Sequence, residues 1–151
     1  RNEGFIRYGT MAENKGLVTF YKDKTNRKTK KKYKPKDVAG YKVGSEEYHT
    51  IRFGVIIKEY VFARLEVDGH IKTYSVAEEG EEGWKYVMAL KKGDEEAIGV
   101  ARFIRFAKQM SEYISDYEEL STKVKNKEKG YRLLHMEAIL AEYNEWYAKK
   151  N

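Results

Sequence analysis

Cysteine is absent from the 151 residues, which excludes disulfides, thiolate catalysis and cysteine-ligated metals. It does not separate the cytosol from an exported compartment. No apolar run approaches the length needed to span a bilayer, so no transmembrane segment is expected. Histidine is scarce. His49, His70 and His135 are scattered, with no H-E-x-x-H and no helical pair that would set two imidazoles on one metal. Serines occur without G-x-S-x-G, and the glycines form neither a P-loop nor a dinucleotide fingerprint. These absences argue against a familiar nucleotide-dependent enzyme. No catalytic residue, metal ligand or cofactor is assigned from sequence.

What is present fits one globular domain over residues 1–151. The hydrophobic fraction is 41% and the aromatic fraction 14%, with 13 tyrosines that suit half-buried strand positions. Residues 1–100 read as a β-rich body. Short runs rich in Tyr, Val, Ile, Phe and Thr fall at Phe5–Tyr8, Leu17–Lys22, Lys31–Lys34, Gly40–Val43, Tyr48–Ile57, Tyr60–Val67, Ile71–Ala77 and Trp84–Leu90. Residues 101–151 change to helical spacing, in three stripes: Phe103, Phe106, Ala107, Met110 and Ile114; Tyr117, Leu120 and Val124; Met136, Ile139, Leu140, Tyr143 and Tyr147. Asp116 with Glu119 makes a capping-box pattern, so a helix should begin near Tyr117, and Gly130 should interrupt before the last one. Strands first and helices afterward predict an α+β fold. It would be a mainly antiparallel sheet of about seven or eight short strands, followed by about three helices that form a tail packed on it.

Two hairpins can be drawn in detail. In "YVFARLEVDGHIKTYSVAE", Val61, Ala63, Leu65 and Val67 alternate with Phe62, Arg64 and Glu66. A three-residue turn, Asp68-Gly69-His70, sets Val67 opposite Ile71, Leu65 opposite Thr73, Glu66 opposite Lys72 and Arg64 opposite Tyr74, with one buried face.

The second lies in "KDKTNRKTKKKYKPK", residues 22–36, which holds nine Lys or Arg and a single Asp. The remaining residues carry 21 positive and 23 negative charges, so the basic character of a chain with net charge +6 is local. A turn at 25–28 sets Asp23 opposite Lys30 and Phe20 opposite Tyr33, with Lys22 facing Lys31. Lysines and Pro35 are what exposed sheet edges use to block pairing with other chains. The leading expectation is therefore a solvated edge hairpin. The alternative is a polyanion or nucleic-acid contact through Lys24, Arg27, Lys28, Lys30, Lys31, Lys32 and Lys34, with Tyr21, Tyr33 or Tyr41 available for stacking. Arg27 is the only arginine of the run, which disfavours base readout, so no specific nucleic-acid partner is expected.

Elsewhere, "EEGEEG" at 78–83 reads as a flexible acidic loop between strands, without the EF-hand ligand pattern. His49, beside Glu46 and Glu47 in "EEYHTIRF", is the one histidine in a strand-like stretch, and a hydrolase site near it is the remaining alternative.

"KKKYKPKDVAGYKVGSEEYHTI" resembles a strand, a Tyr-x-Pro-x-Asp turn and a second strand of small uncharacterised exported envelope proteins of Gram-negative bacteria. "YISDYEELSTKVKNKEKGYRLLHMEAILAEYNEWY" is similar to the C-terminal helical pattern of the same group, and "EGFIRYGTM" to its opening strand. The matching positions are Tyr33, Pro35, Asp37, Leu120, Lys127, Tyr143 and Asn144. The resemblance implies an exported protein, periplasmic or outer-membrane-associated, with a β-rich body and a helical tail, and it supplies no catalytic residues. A start at Arg1 without methionine or a visible signal peptide is compatible with a mature exported chain whose leader was removed, or with a trimmed chain. The expected function is non-catalytic binding or interaction with an envelope component or protein partner.

Overall fold

Alternation of aromatic and β-branched residues builds two antiparallel sheets. A computed structural model describes residues 2–7, 9–54 and 57–150; the expected strand ends at Tyr8, Val55 and Ile56 lie outside the described residues. The first sheet has the order β1 (Phe5–Ile6), β2 (Val18–Tyr21), β3 (Lys30–Tyr33). Between β1 and β2 sits α1 (Met11–Asn14), a helix the sequence did not announce. It is held by a capping box: Thr10 Oγ1 accepts the N–H of Glu13, and the Glu13 carboxylate accepts the N–H of Thr10.

The second sheet is a meander in chain order: β4 (Gly40–Val43), β5 (Glu46–Phe53), β6 (Glu59–Val67), β7 (Ile71–Gly80), β8 (Gly83–Lys92) and β9 (Ile98–Gly99). Nine strands among the described residues slightly exceed the expected number, mainly through the two-residue β9. The sheet is curled. β5 and β9 stand four places apart, roughly 19 Å in a flat sheet. Yet Arg52 of β5 lies 3.1 Å from Glu96 just before β9, and Lys58 pairs with the same carboxylate. The curl encloses a core of Ile51, Phe53, Val61, Ala63, Tyr74, Val76, Ala89 and Ala97.

The opposite face of β7 and β8 presents Ile71 and Leu90 to the helices α2 (Phe106–Tyr113), α3 (Glu118–Lys125) and α4 (Met136–Lys150). Phe103, Phe106, Met110, Leu120, Ile139, Leu140 and Tyr143 are buried there, as their spacing predicted. Gly130 does separate α3 from α4, with a φ of +89 that favours glycine. The expected cap of α3 is not formed. Tyr117 occupies the N-cap without a side-chain bond, because the Asp116 carboxylate instead takes Lys92 Nζ at 2.6 Å and the Tyr143 hydroxyl at 2.5 Å.

The expected register of the β6–β7 hairpin is wrong by one residue. Arg64 stands opposite Ser75 and Leu65 opposite Tyr74, and a bulge then brings Val67 opposite Thr73. Val61 and Ala63 are buried and Leu65 is half-buried, but Val67 is exposed. Two physical facts explain the slip. Central strands are buried on both faces here, since Tyr74 and Val76 are as covered as Ile71 and Thr73, so a one-residue shift exposes no hydrophobic row. Ile71 is also taken up elsewhere. Its N–H donates to Asn144 Oδ1 at 2.8 Å and its carbonyl accepts from Asn144 Nδ2 at 2.9 Å.

Candidate functional site: two clefts flanking the three-stranded sheet

The basic run does form an edge hairpin, β2–β3, with β3 at the sheet edge. Its register differs by two residues from the one expected. Val18 stands opposite Tyr33, Phe20 opposite Lys31 and Tyr21 opposite Lys30. A shift of two preserves the faces, so Phe20 and Tyr33 still meet edge-on, with ring centroids 6.1 Å apart. The shift comes from a longer turn. Asp23 does not face Lys30; its carboxylate accepts the N–H and hydroxyl of Thr25 instead. Asn26 caps a 3₁₀ turn at Arg27–Thr29, and the Thr29 hydroxyl accepts the N–H of Asp23. Lys22 is thereby spared the opposition to Lys31.

The fold sorts the seven basic residues. Lys24, Arg27 and Lys30 line an open pocket of about 540 Å³ together with Arg7, Phe5, Ile6 and Tyr21. Lys28, Lys31, Lys32 and Lys34 do not line it. Arg7 escaped sequence reasoning because it lies outside the basic run. Pairing of β1 with β2 delivers it, and the opening strand run at Phe5 was the available signal.

On the other side of the same sheet, a groove of about 890 Å³ opens between Val18, Phe20 and Tyr33 and the larger sheet's Tyr41, Tyr48 and Phe62. Tyr41 stacks on Tyr48 at 4.6 Å and meets the edge of Phe62 at 5.0 Å. Burial pushes the Tyr41 phenol well above its ordinary range, and its hydroxyl has no hydrogen-bond partner among the described residues. Tyr48 is pushed up to about 12, by burial and then by its hydrogen bond to Glu46.

His49 lies at the groove, but its ring is fully engaged. Nε2 is 2.9 Å from Glu47 Oε1, and Nδ1 is 2.9 Å from the Tyr74 hydroxyl. A neutral ring donating from Nε2 and accepting at Nδ1 satisfies both contacts. Hydrogen bonds from His49 and Lys42 hold the Glu47 carboxyl below the usual carboxylate range. The neighbouring Thr50 hydroxyl is 2.6 Å from the Val38 carbonyl and 3.0 Å from that of Pro35, within the chain's own turn. The hydroxyl that His49 Nδ1 reaches belongs to Tyr74, which is almost wholly buried, and among the described residues no serine or threonine lines the groove beside it.

The other singled-out residues are structural. His70 stacks on Tyr147 at 3.5 Å. Glu78 and Glu79 end β7, and the acidic segment is the tight tip of the β7–β8 hairpin, with strands running right up to it. No group of three or more His, Asp or Glu that could hold a metal occurs among the described residues. Asp37 closes the turn after β3: its carboxylate accepts the N–H of Lys34 at 2.8 Å and its own N–H donates to the Lys34 carbonyl at 2.9 Å. Pro35 is buried in that turn. No helix of the described residues is long and apolar enough to cross a membrane. No family model, curated protein or solved structure matches the chain.

Proposed function

We propose that this is a non-catalytic exported binding protein, periplasmic or envelope-associated, which takes its ligand in the groove between the two sheets. The observation that carries the proposal is an open groove of about 890 Å³ walled by Phe20, Tyr33, Tyr41 and Tyr48, with the one nearby histidine tied at both nitrogens. Grooves of this size hold small ligands or polymer segments, and aromatic walls supply contact area at low entropic cost. Carboxylates at its rim, such as Glu47, add hydrogen-bond acceptors. A ligand with an apolar face and donor-bearing edges, as in an oligosaccharide, matches that lining. The hydrolase alternative lacks an accessible nucleophile among the described residues: the hydroxyl beside His49 is that of buried Tyr74, and the groove lining holds no serine or threonine.

The test is a titration of ¹⁵N-labelled protein with neutral oligosaccharides and short peptides, followed by recovery of the ligand. Amide shifts should map to β2, β4 and β5, Tyr33→Ala should weaken binding at least fivefold, and the ligand should return intact. Turnover that is lost in His49→Gln would overturn the non-catalytic reading. Export is tested separately by fractionating cells that express the native reading frame, and recovery in the cytosol would sink it.

A further inference from the structure

The outer face of the small sheet carries a different chemistry from its inner face. Phe5 stands directly opposite Tyr21, and Tyr21 directly opposite Lys30, so the three share one cross-strand row. Phe5 is half-exposed at 50% although it is large and apolar. Around this row the fold gathers Arg7, just after β1, and Lys24 and Arg27 from the β2–β3 turn. None of these four cations, Arg7, Lys24, Arg27 and Lys30, forms an ion pair within the described residues. Asp23, in the same turn, is turned onto Thr25, and Glu13, which feels the charge of Arg7, is bonded to the N–H of Thr10.

We infer that this face binds single-stranded nucleic acid without sequence selection, phosphates lying among Arg7, Lys24, Arg27 and Lys30 and bases stacking on Phe5 and Tyr21. The aromatic pair decides the ligand class. A single strand presents a planar base at every phosphate repeat, which is what cations interleaved with rings accommodate. A duplex hides its base faces, and a sulfated polysaccharide or an anionic vesicle has no planar ring to stack. The pocket is an open concavity of about 540 Å³, which suits a nucleotide better than a flat bilayer. Stacking on a ring accepts any base, so this contact carries no sequence preference.

The probe is fluorescein-labelled oligo-dT of fifteen residues, followed by anisotropy from 50 to 200 mM salt. Four phosphate contacts on a single strand imply a slope near −2.8 in log K against log salt, or about a fifty-fold loss over that range. Phe5→Ala should weaken binding about tenfold at fixed salt. Arg7→Gln with Arg27→Gln should flatten the slope by about 1.4. Lys28→Gln with Lys34→Gln, outside the pocket, should change the slope much less. Circular dichroism melts check that each variant folds, which is expected because Phe5 is half-exposed and the other positions are exposed. Duplex DNA, heparin and anionic vesicles are run in parallel. Equal or tighter binding of any of them would overturn the inference, as would oligo-dT binding indifferent to Phe5→Ala or equally sensitive to the Lys28 and Lys34 pair.

Discussion

Replacing Asn144 by alanine should be among the costliest single changes outside the apolar core. Asn144 lies on α4 and its amide completes the outer edge of β7, taking both the N–H and the carbonyl of Ile71. Ile71 is fully buried, and β6 has already left the ladder at Val67 and Thr73, so no strand replaces the amide. Two hydrogen bonds contribute about 1 kcal/mol each, and stranding the buried N–H and carbonyl adds to that. Asn144 is itself half-buried, so water can reach part of the gap and the lower end of the penalty applies. The expected destabilisation is about 2–4 kcal/mol in urea unfolding followed by circular dichroism. For a chain of this length that corresponds to a drop in Tm of roughly 5–15 °C.

A second arm isolates the mechanism. A Cβ on Gly69 would come within 2.4 Å of Asn144 Nδ2. Gly69→Ala should therefore destabilise the parent and cost much less in the Asn144→Ala background. Sites in contact should show a coupling of at least 0.5 kcal/mol. Additive costs, or an Asn144→Ala effect below about 0.5 kcal/mol, would refute the clamp, because exposed substitutions without a structural role fall in that range.

Other outcomes follow from the same packing. Burial raises the Asp116 pKa, but the hydrogen bonds from Lys92 and Tyr143 outweigh it and leave the pKa below the ordinary aspartate value. Its stabilisation is thus complete above that ordinary value and is lost as pH falls through the depressed one. The carboxylate is more than a third exposed and partly screened by water, so Asp116→Asn should cost only about 0.5–1 kcal/mol at neutral pH and flatten the acid limb of the stability–pH curve. Tyr74→Phe removes the hydroxyl beside His49 Nδ1 and should cost about 1–2 kcal/mol by urea melt. Ile51→Ala, in the enclosed core, should cost about 2–5 kcal/mol, with half-buried Leu65→Ala costing less than half as much. A chain ending at Lys125 loses Met136, Ile139, Leu140, Tyr143 and the Asn144 clamp, and should show no cooperative thermal transition.

The legible parts of the fold were those where one face is buried and the other wet. The helical stripes meet that condition, so Met110, Leu120 and Ile139 could be placed in the core from spacing alone. β6 and β7 do not meet it. With Phe62 and Val61 both buried, alternation carries no register, and the clamp on Ile71 comes from 73 residues away. Short elements were equally hidden: α1 has four residues and β9 two, too few for any period to register. At the candidate sites, the basic run announced three of the four pocket cations. Arg7 joins them only through long-range pairing, and the groove's aromatics come from five different strands and loops.

Four of the motif residues behind the resemblance, Pro35, Asp37, Tyr143 and Asn144, occupy joints. Asp37 and Pro35 shape the turn that hands the small sheet over to the meander, where the Pro35 carbonyl accepts the Thr50 hydroxyl. Tyr143 and Asn144 fasten α4 to Asp116 and to β7. Residues spent on joints in this way position surfaces without contributing chemistry, so function has to be sought on the faces they hold in place. The small sheet has a cavity on each side, and its period of two sends successive residues to opposite faces. Ile6 and Phe20 form one cross-strand pair, of which Phe20 borders the groove alone and Ile6 both cavities; Phe5 and Tyr21 form the next and border only the cationic pocket. Substitutions in adjacent cross-strand pairs therefore separate the two binding proposals: Phe20→Ala should disturb the groove ligand and spare oligo-dT, and Phe5→Ala should do the reverse.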